Sequence, residues 1–236
     1  MEGARIFFRI PIFGGLPVTE TMVNSWILIL GITLLCVFLT RHLKLKEITK
    51  RQAIAEWAVQ AVNDLVTESM GKAHVKTYAP YIGALFAFSL FGSLSSLLGM
   101  KPITSDINTT LGWAIVTFVM IQYSKIKYHG IKQFFKGFTE PIFVMTPLNI
   151  ISEFATPLSL GFRHFGNIAA GTVITSLLYS ALAYLSSVIL GGIQIPFMQI
   201  GLPAFLSIYF DLFTSALQAF IFCMLTMAYV SSAIDD

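Results

Sequence analysis

The stretch Pro157-Leu-Ser-Leu-Gly-Phe-Arg163-His-Phe-Gly-Asn167-Ile-Ala-Ala-Gly171 lies inside a long apolar run, residues 152–190, and its arginine has almost nothing nearby to neutralise it. Arginine keeps its proton in proteins. Holding it at bilayer depth costs between about 3 and 17 kcal/mol, depending on snorkelling and water defects. Such a charge implies a cavity, a partner on another chain or a functional role.

The rest of the chain agrees with a membrane setting. It has 236 residues, 56% hydrophobic and only 11% charged, with a mean hydropathy of +0.76. Soluble domains carry about 25% charged residues. We therefore expect one compact all-α integral membrane domain. Cys36 and Cys223 both fall in apolar stretches and read as small packing residues, with no disulfide framework or metal spacing. Pro11, Gly14, Gly15 and Pro17 interrupt the N-terminus before the first apolar run, so a cleaved signal peptide is not expected.

Apolar windows at 22–39, 80–100 and 111–123 and two longer runs at 152–190 and 196–234 give about five membrane-spanning segments. The 111–123 window is short and is expected to be tilted or partly re-entrant. Arg41, Lys44, Lys46, Lys50, Arg51, Lys72 and Lys76 lie between the first two spans, and Lys125, Lys127, Lys132 and Lys136 between the third and fourth. The opposite loops hold only Arg5, Arg9 and Lys101. The positive-inside rule then puts the N-terminus outside and the C-terminus in the cytoplasm. Within the first basic loop, Thr49 and Gln52 suggest a capping box, and Ile54, Trp57, Ala58, Ala61 and Leu65 recur at helical spacing. An amphipathic helix is expected over 49–76, either along the membrane surface or against a soluble partner.

Each of the two C-terminal runs would be about 58 Å long as a straight helix, against the roughly 20 residues a perpendicular span needs. Helices of this length must lie strongly tilted, be kinked or extend out of the bilayer, and Gly191-Gly192 and Pro196 mark the turn of a helical hairpin. Folded back about residue 193, it puts Gln218 opposite the neighbourhood of Asn167, and Asp211 opposite Thr175 near Thr172 and Ser176. Glu153 and Ser159 fall on the other side of Arg163, and Asp211 is roughly 18 Å from Arg163 along the axis. Two polar groups separated by a fixed positive charge would suit ion movement that must not be a leak. Thr172, Thr175 and Ser176 read equally as interhelical hydrogen-bonding residues.

These residues also carry a family resemblance. Ser159-Leu-Gly-Phe-Arg163-His-Phe-Gly-Asn167 resembles the S-L-G-x-R-x-F-G-N segment of subunit a of the F-type rotary ATP synthase. Leu217-Gln218-Ala219-Phe220-Ile221-Phe222 resembles its L-Q-A-F-I-F segment, Asp106-Ile-Asn108-Thr-Thr110-Leu111 its D-x-N-x-T-L, and Pro147, Asn149 and Glu153 its P-x-N-x-x-x-E. The resemblance runs from about Lys101 to the C-terminus. It implies a stator subunit beside a c-subunit ring, with a b-subunit peripheral stalk and other ATP synthase subunits as partners, in a bacterial plasma membrane.

On this resemblance, the two long helices form a strongly tilted hairpin along the ring and Arg163 faces the rotor carboxylate between two offset half-channels; Gln218 holds or orients its guanidinium through the side-chain carbonyl, and Asn167 lines the same contact. Asp211 is the main outer relay, because Thr172 stands where some members have Glu. Thr172, Thr175, Ser176, Asn108, Ser159, Glu153 and His164 are candidates for lining the half-channels. His164 stands where Leu is common, and reads equally as lining an aqueous path or as packing against a neighbouring helix.

The ion, H⁺ or Na⁺, is expected to be chosen mainly by the c subunit. A secondary transporter or channel with its own intramembrane site is the competing class, though no internal repeat supports it. No nucleotide-binding loop, metal cluster or nucleophile–base pair is present in the sequence, so no catalytic site, cofactor or nucleic-acid partner is expected.

Overall fold

The computed structural model describes residues 6–11, 16–41, 43–44, 49–139, 142–189, 199 and 208–235; of residues 10, 16, 210 and 211 it describes the backbone alone. The chain begins with an antiparallel hairpin, β1 (Ile6–Ile10) and β2 (Leu16–Thr19). Hydropathy alone gave no sign of it, because two short strands carry too little apolar area to stand out beside the spans.

Six α-helices follow among the described residues: α1 (Glu20–Thr40), α2 (Lys50–Met70), α3 (Val75–Leu94), α4 (Ile107–Thr139), α5 (Thr146–Ile189) and α6 (Thr214–Asp235). Four helical segments, containing α1, α3, α5 and α6, are long and apolar enough to cross a bilayer. The uncharged first half of α4, residues 107–124, has the length for a fifth, about 27 Å at 1.5 Å per residue. The expected short span at 111–123 is thus the middle of a 33-residue helix. Asp106 caps that helix, its Oδ1 accepting from the Asn108 backbone N–H at 3.0 Å. Lysines carry α4 beyond the apolar stretch, and Gly130, at φ +81°, kinks it.

Other boundaries also shift. The expected 49–76 helix stops at Met70, because Gly71 adopts φ +83°. Thr49 caps it, accepting from Gln52 N at 3.4 Å. The other half of the expected box is absent: the Gln52 side chain instead bonds Lys44 N and O at 3.0 and 2.9 Å, and Glu56. The Ile54–Trp57 part of the stripe is exposed, Trp57 by 73%. α5 starts six residues earlier than expected, at Thr146, with Pro147 in its first turn, where a missing N–H costs nothing. The turn at Gly191, Gly192 and Pro196 lies outside the described residues, as does most of 196–207. Described backbone resumes as a short π-helix, Ile208–Phe213, leading into α6.

The core forms where α3, α4, α5 and α6 meet, around Ile82, Leu85, Ala114, Leu160, Phe222 and Met227, with Val66 and Met70 of α2 below. Cys223 is buried in it, whereas Cys36 is exposed on α1. Hydroxyl pairs cross the helix contacts: Tyr78–Ser124 at 3.0 Å, Ser93–Thr104 at 3.0 Å and Thr117–Thr226 at 3.4 Å. Such bonds satisfy polar groups that lipid cannot. α1 is mostly exposed; its start is held by Thr21 donating to Asp106 at 2.7 Å and Asn24 to the Lys101 carbonyl at 3.1 Å, and near its other end the Arg51 guanidinium of α2 lies 4.4 Å over the Phe38 ring.

Candidate functional site

Arg163 and His164 are neighbours in α5, about 100° apart around it. They meet opposite fates. His164 is fully buried, and Arg163 is exposed. The division follows the whole helix. Pro157, Leu160, Gly161, His164 and Ile168 face the core, while Leu158, Ser159, Phe162, Arg163 and Gly166 face away. Gly161 decides how closely α5 sits: a Cβ there would lie 3.3 Å from both Leu111 Cα and the Thr110 carbonyl oxygen of α4. The absent side chain lets the two backbones approach.

Ser159 and Phe162 share the outward face of α5 with Arg163, and Leu217 and Phe220 are exposed on α6. Among the described residues no hydrogen bond or ion pair reaches the guanidinium. Gln218 is buried and makes no hydrogen bond to Arg163, so the expected grip on the guanidinium is not formed in the isolated chain.

Two polar cavities flank it. Towards the C-terminal end of α5, Asn167, Gly171 and Thr172 share a cavity of about 40 Å³ with Ser93, Ser96, Thr214 and Ser215. It is large enough for about two or three waters. Thr172 and Thr214 share its wall and the His164 ring meets Phe222 at 5.5 Å, which is the register given by a turn near residue 193. Towards the N-terminal end, Glu153 accepts from Gln122 Nε2 at 2.6 Å and from Lys125 Nζ at 2.7 and 2.9 Å. Glu153, Ser152 and Asn149 line an open cavity of about 400 Å³ with Lys125, His129 and Gln133. The two cavities share no lining residue. Along α5, Arg163 lies about 15 Å from Glu153 and about 13 Å from Thr172.

A family model described as the ATP synthase A chain matches residues 22–231. The chain belongs to the ATP synthase subunit a family. It is 31% identical to "ATP synthase subunit a, sodium ion specific" of Propionigenium modestum, in an alignment covering 100% of this chain and 86% of that protein. It is 34% identical to the ATP synthase subunit a of Bacillus pumilus, over 87% of each chain, and 30% identical to that of Moorella thermoacetica, over 93% and 92%. Subunit a is a membrane-embedded part of the ion-translocating sector and works with the c-ring and b subunits of the complex.

The other candidate residues of this subunit a are scattered. Asn108 bonds Asp106 at 3.1 Å at the start of α4 and lines neither cavity. Thr172 also donates to the Ala169 carbonyl at 2.8 Å, and Ser176 is exposed, accepting at its carbonyl from Ser180. Thr175 is half-buried. Asp211 falls within the short π-helix, and its side chain lies outside the described residues. Sequence reasoning passed over Ser93, Ser96, Thr214, Ser215, Lys125 and His129. The only signal for the serines was their i, i+3 spacing at the end of an apolar helix, which small packing residues share.

Proposed function

We propose that the chain moves ions through two offset half-channels that meet at a rotor carboxylate facing Arg163. The Asn167–Thr172 cavity belongs to the outer half-channel, with Asp211 as its titratable relay, and the Glu153 cavity belongs to the cytoplasmic one. The observation that carries this reading is the exposed Arg163, without a partner among the described residues, between two cavities that share no lining residue. A fixed cation favours the charged form of a carboxylate that approaches it. A loaded rotor site arriving at Arg163 therefore releases its ion into one half-channel and reloads from the other. Because the guanidinium never discharges, it also repels cations that would pass straight between the cavities. A membrane potential supplies about 2.3 kcal/mol per charge per 100 mV to bias the direction.

The orientation follows from the lysines: Glu153 sits with Lys125 at the basic end of α4, which the positive-inside rule assigns to the cytoplasm. The exposed Ile54–Trp57 stripe of α2 then lies at the cytoplasmic surface of the membrane. In this reading the choice between H⁺ and Na⁺ rests mainly with the rotor site. The test is Arg163→Ala in membranes holding the whole complex. ATP-driven ion pumping should be lost while the complex still assembles. Pumping at the normal rate would overturn the reading.

A further inference from the structure

His164 is the point at which α5 touches three other helices at once. Its Nε2 lies 3.1 Å from Ser89 Oγ of α3, and both residues are fully buried. Its ring sits 5.7 Å from Trp113 of α4 and 5.5 Å from Phe222 of α6, and those two rings meet each other at 6.1 Å. Among the described residues, buried Nδ1 has no hydrogen-bond partner. The imidazole is therefore held by one directional bond inside an aromatic clamp. A leucine here could pack in the clamp, but could not choose a rotation through a hydrogen bond.

We propose that the Ser89–His164 hydrogen bond sets the rotation of α5 about its own axis, and so the place of the Arg163 guanidinium on the exposed face. His164 is a positioning residue in this scheme, which rests on the role given to Arg163 above. The lever arm is long. An extended guanidinium lies about 8–9 Å from the helix axis, so a 20° rotation moves it by about 3 Å. That is a whole charge-assisted hydrogen-bond length, about 2.7–2.9 Å. Gly161, one turn earlier on the same side, fixes the distance between α5 and α4, but a glycine contact constrains rotation weakly.

The experiment compares Ser89→Ala, His164→Asn and His164→Gln in the assembled complex, alone and with Ser89→Ala combined with His164→Asn. A glutamine amide reaches the position of imidazole Nε2, whereas an asparagine amide reaches only that of Nδ1. Ions pumped per ATP hydrolysed should fall about 5–10-fold for Ser89→Ala and His164→Asn, the worth of one buried hydrogen bond. His164→Gln should stay within about 2-fold of the parent, and the double variant should be no worse than either single one. Losses that multiply in the double variant, or equal losses for Asn and Gln, would overturn the proposal.

A second readout places single cysteines at Phe162 and Gly166, on a Cys36→Ser background, and cross-links them to a cysteine beside the rotor carboxylate. Ser89→Ala should change the ratio of the two yields, and an unchanged ratio refutes the rotation. Arg163→Ala separates the two levels of the argument. If it pumps normally, the role of Arg163 fails. If it is inactive while His164→Asn is normal, only the positioning role fails.

Discussion

Gly161 gives the most direct test of how α5 is seated. An added Cβ would meet Leu111 Cδ2 at 2.8 Å, and Leu111 Cα and the Thr110 oxygen at 3.3 Å. The leucine methyl can swing aside, but the α4 backbone cannot. Restoring ordinary carbon contacts of about 3.5–4.0 Å requires the two helices to separate by about 0.3–0.5 Å. Overpacking of this kind costs about 1–3 kcal/mol, whereas alanine recovers about 1 kcal/mol of helix propensity over glycine. Gly161→Ala should therefore lose about 1 kcal/mol net. Gly161→Val, whose helical rotamer is almost fixed, should lose about 3 kcal/mol or more. Gly166 is the control: nothing lies within 4 Å of its virtual Cβ. Within the chain, Gly166→Ala should be neutral or stabilising by up to about 1 kcal/mol. Thermal denaturation of the detergent-solubilised complex, followed by release of this subunit, should rank Gly161→Val below Gly161→Ala, and both below the parent. Gly161→Val melting at or above the parent would refute the close approach of α5 to α4.

Three further outcomes follow from the same geometry. Glu153→Gln keeps a hydrogen-bond acceptor for Gln122 but removes the charge facing Lys125; passive ion conductance of membranes stripped of the ATPase head should fall several-fold with assembly intact, and unchanged conductance would remove Glu153 from the path. Asp106→Ala deletes the α4 cap and the acceptor for Thr21, so it should lower stability by about 1–2 kcal/mol while ions pumped per ATP stay constant; a change in that ratio at full assembly would make the Asp106–Asn108 pair more than a cap. Asp211→Asn should slow ion flux without affecting assembly, and flux equal to the parent at every pH tested would exclude a relay at that position.

Most of the large-scale plan was legible from residues alone. Runs of apolar side chains measure out bilayer crossings, and lysines mark one end of them, because both signals depend only on local composition. Arg163 announced itself for the same reason: an arginine in an apolar run is costly whatever surrounds it. The antiparallel register was also readable, since chain length and one turn near residue 193 bring Thr172 to Thr214 and His164 to Phe222. The limits of α4 and α2 were harder to see. Lys125 and its neighbours make the second half of α4 look like a loop, and a glycine with positive φ, Gly71, ends α2 before its pattern does.

The amino-acid sequence by itself determined that this chain is a helical membrane protein with an arginine inside a long apolar run, and the order in which polar residues follow one another along that run. Only the tertiary structure decided which way each of them faces. His164 and Arg163 are adjacent in sequence, yet one is clamped between Ser89, Trp113 and Phe222 while the other is exposed. Glu153 finds Lys125 and Gln122 on α4, and Ser93 and Ser96 join Asn167 across a cavity wall. Depth is a one-dimensional property that hydropathy records residue by residue. Facing is set by how four helices pack together, through contacts such as His164 against Ser89, Trp113 and Phe222, and no single segment carries that information.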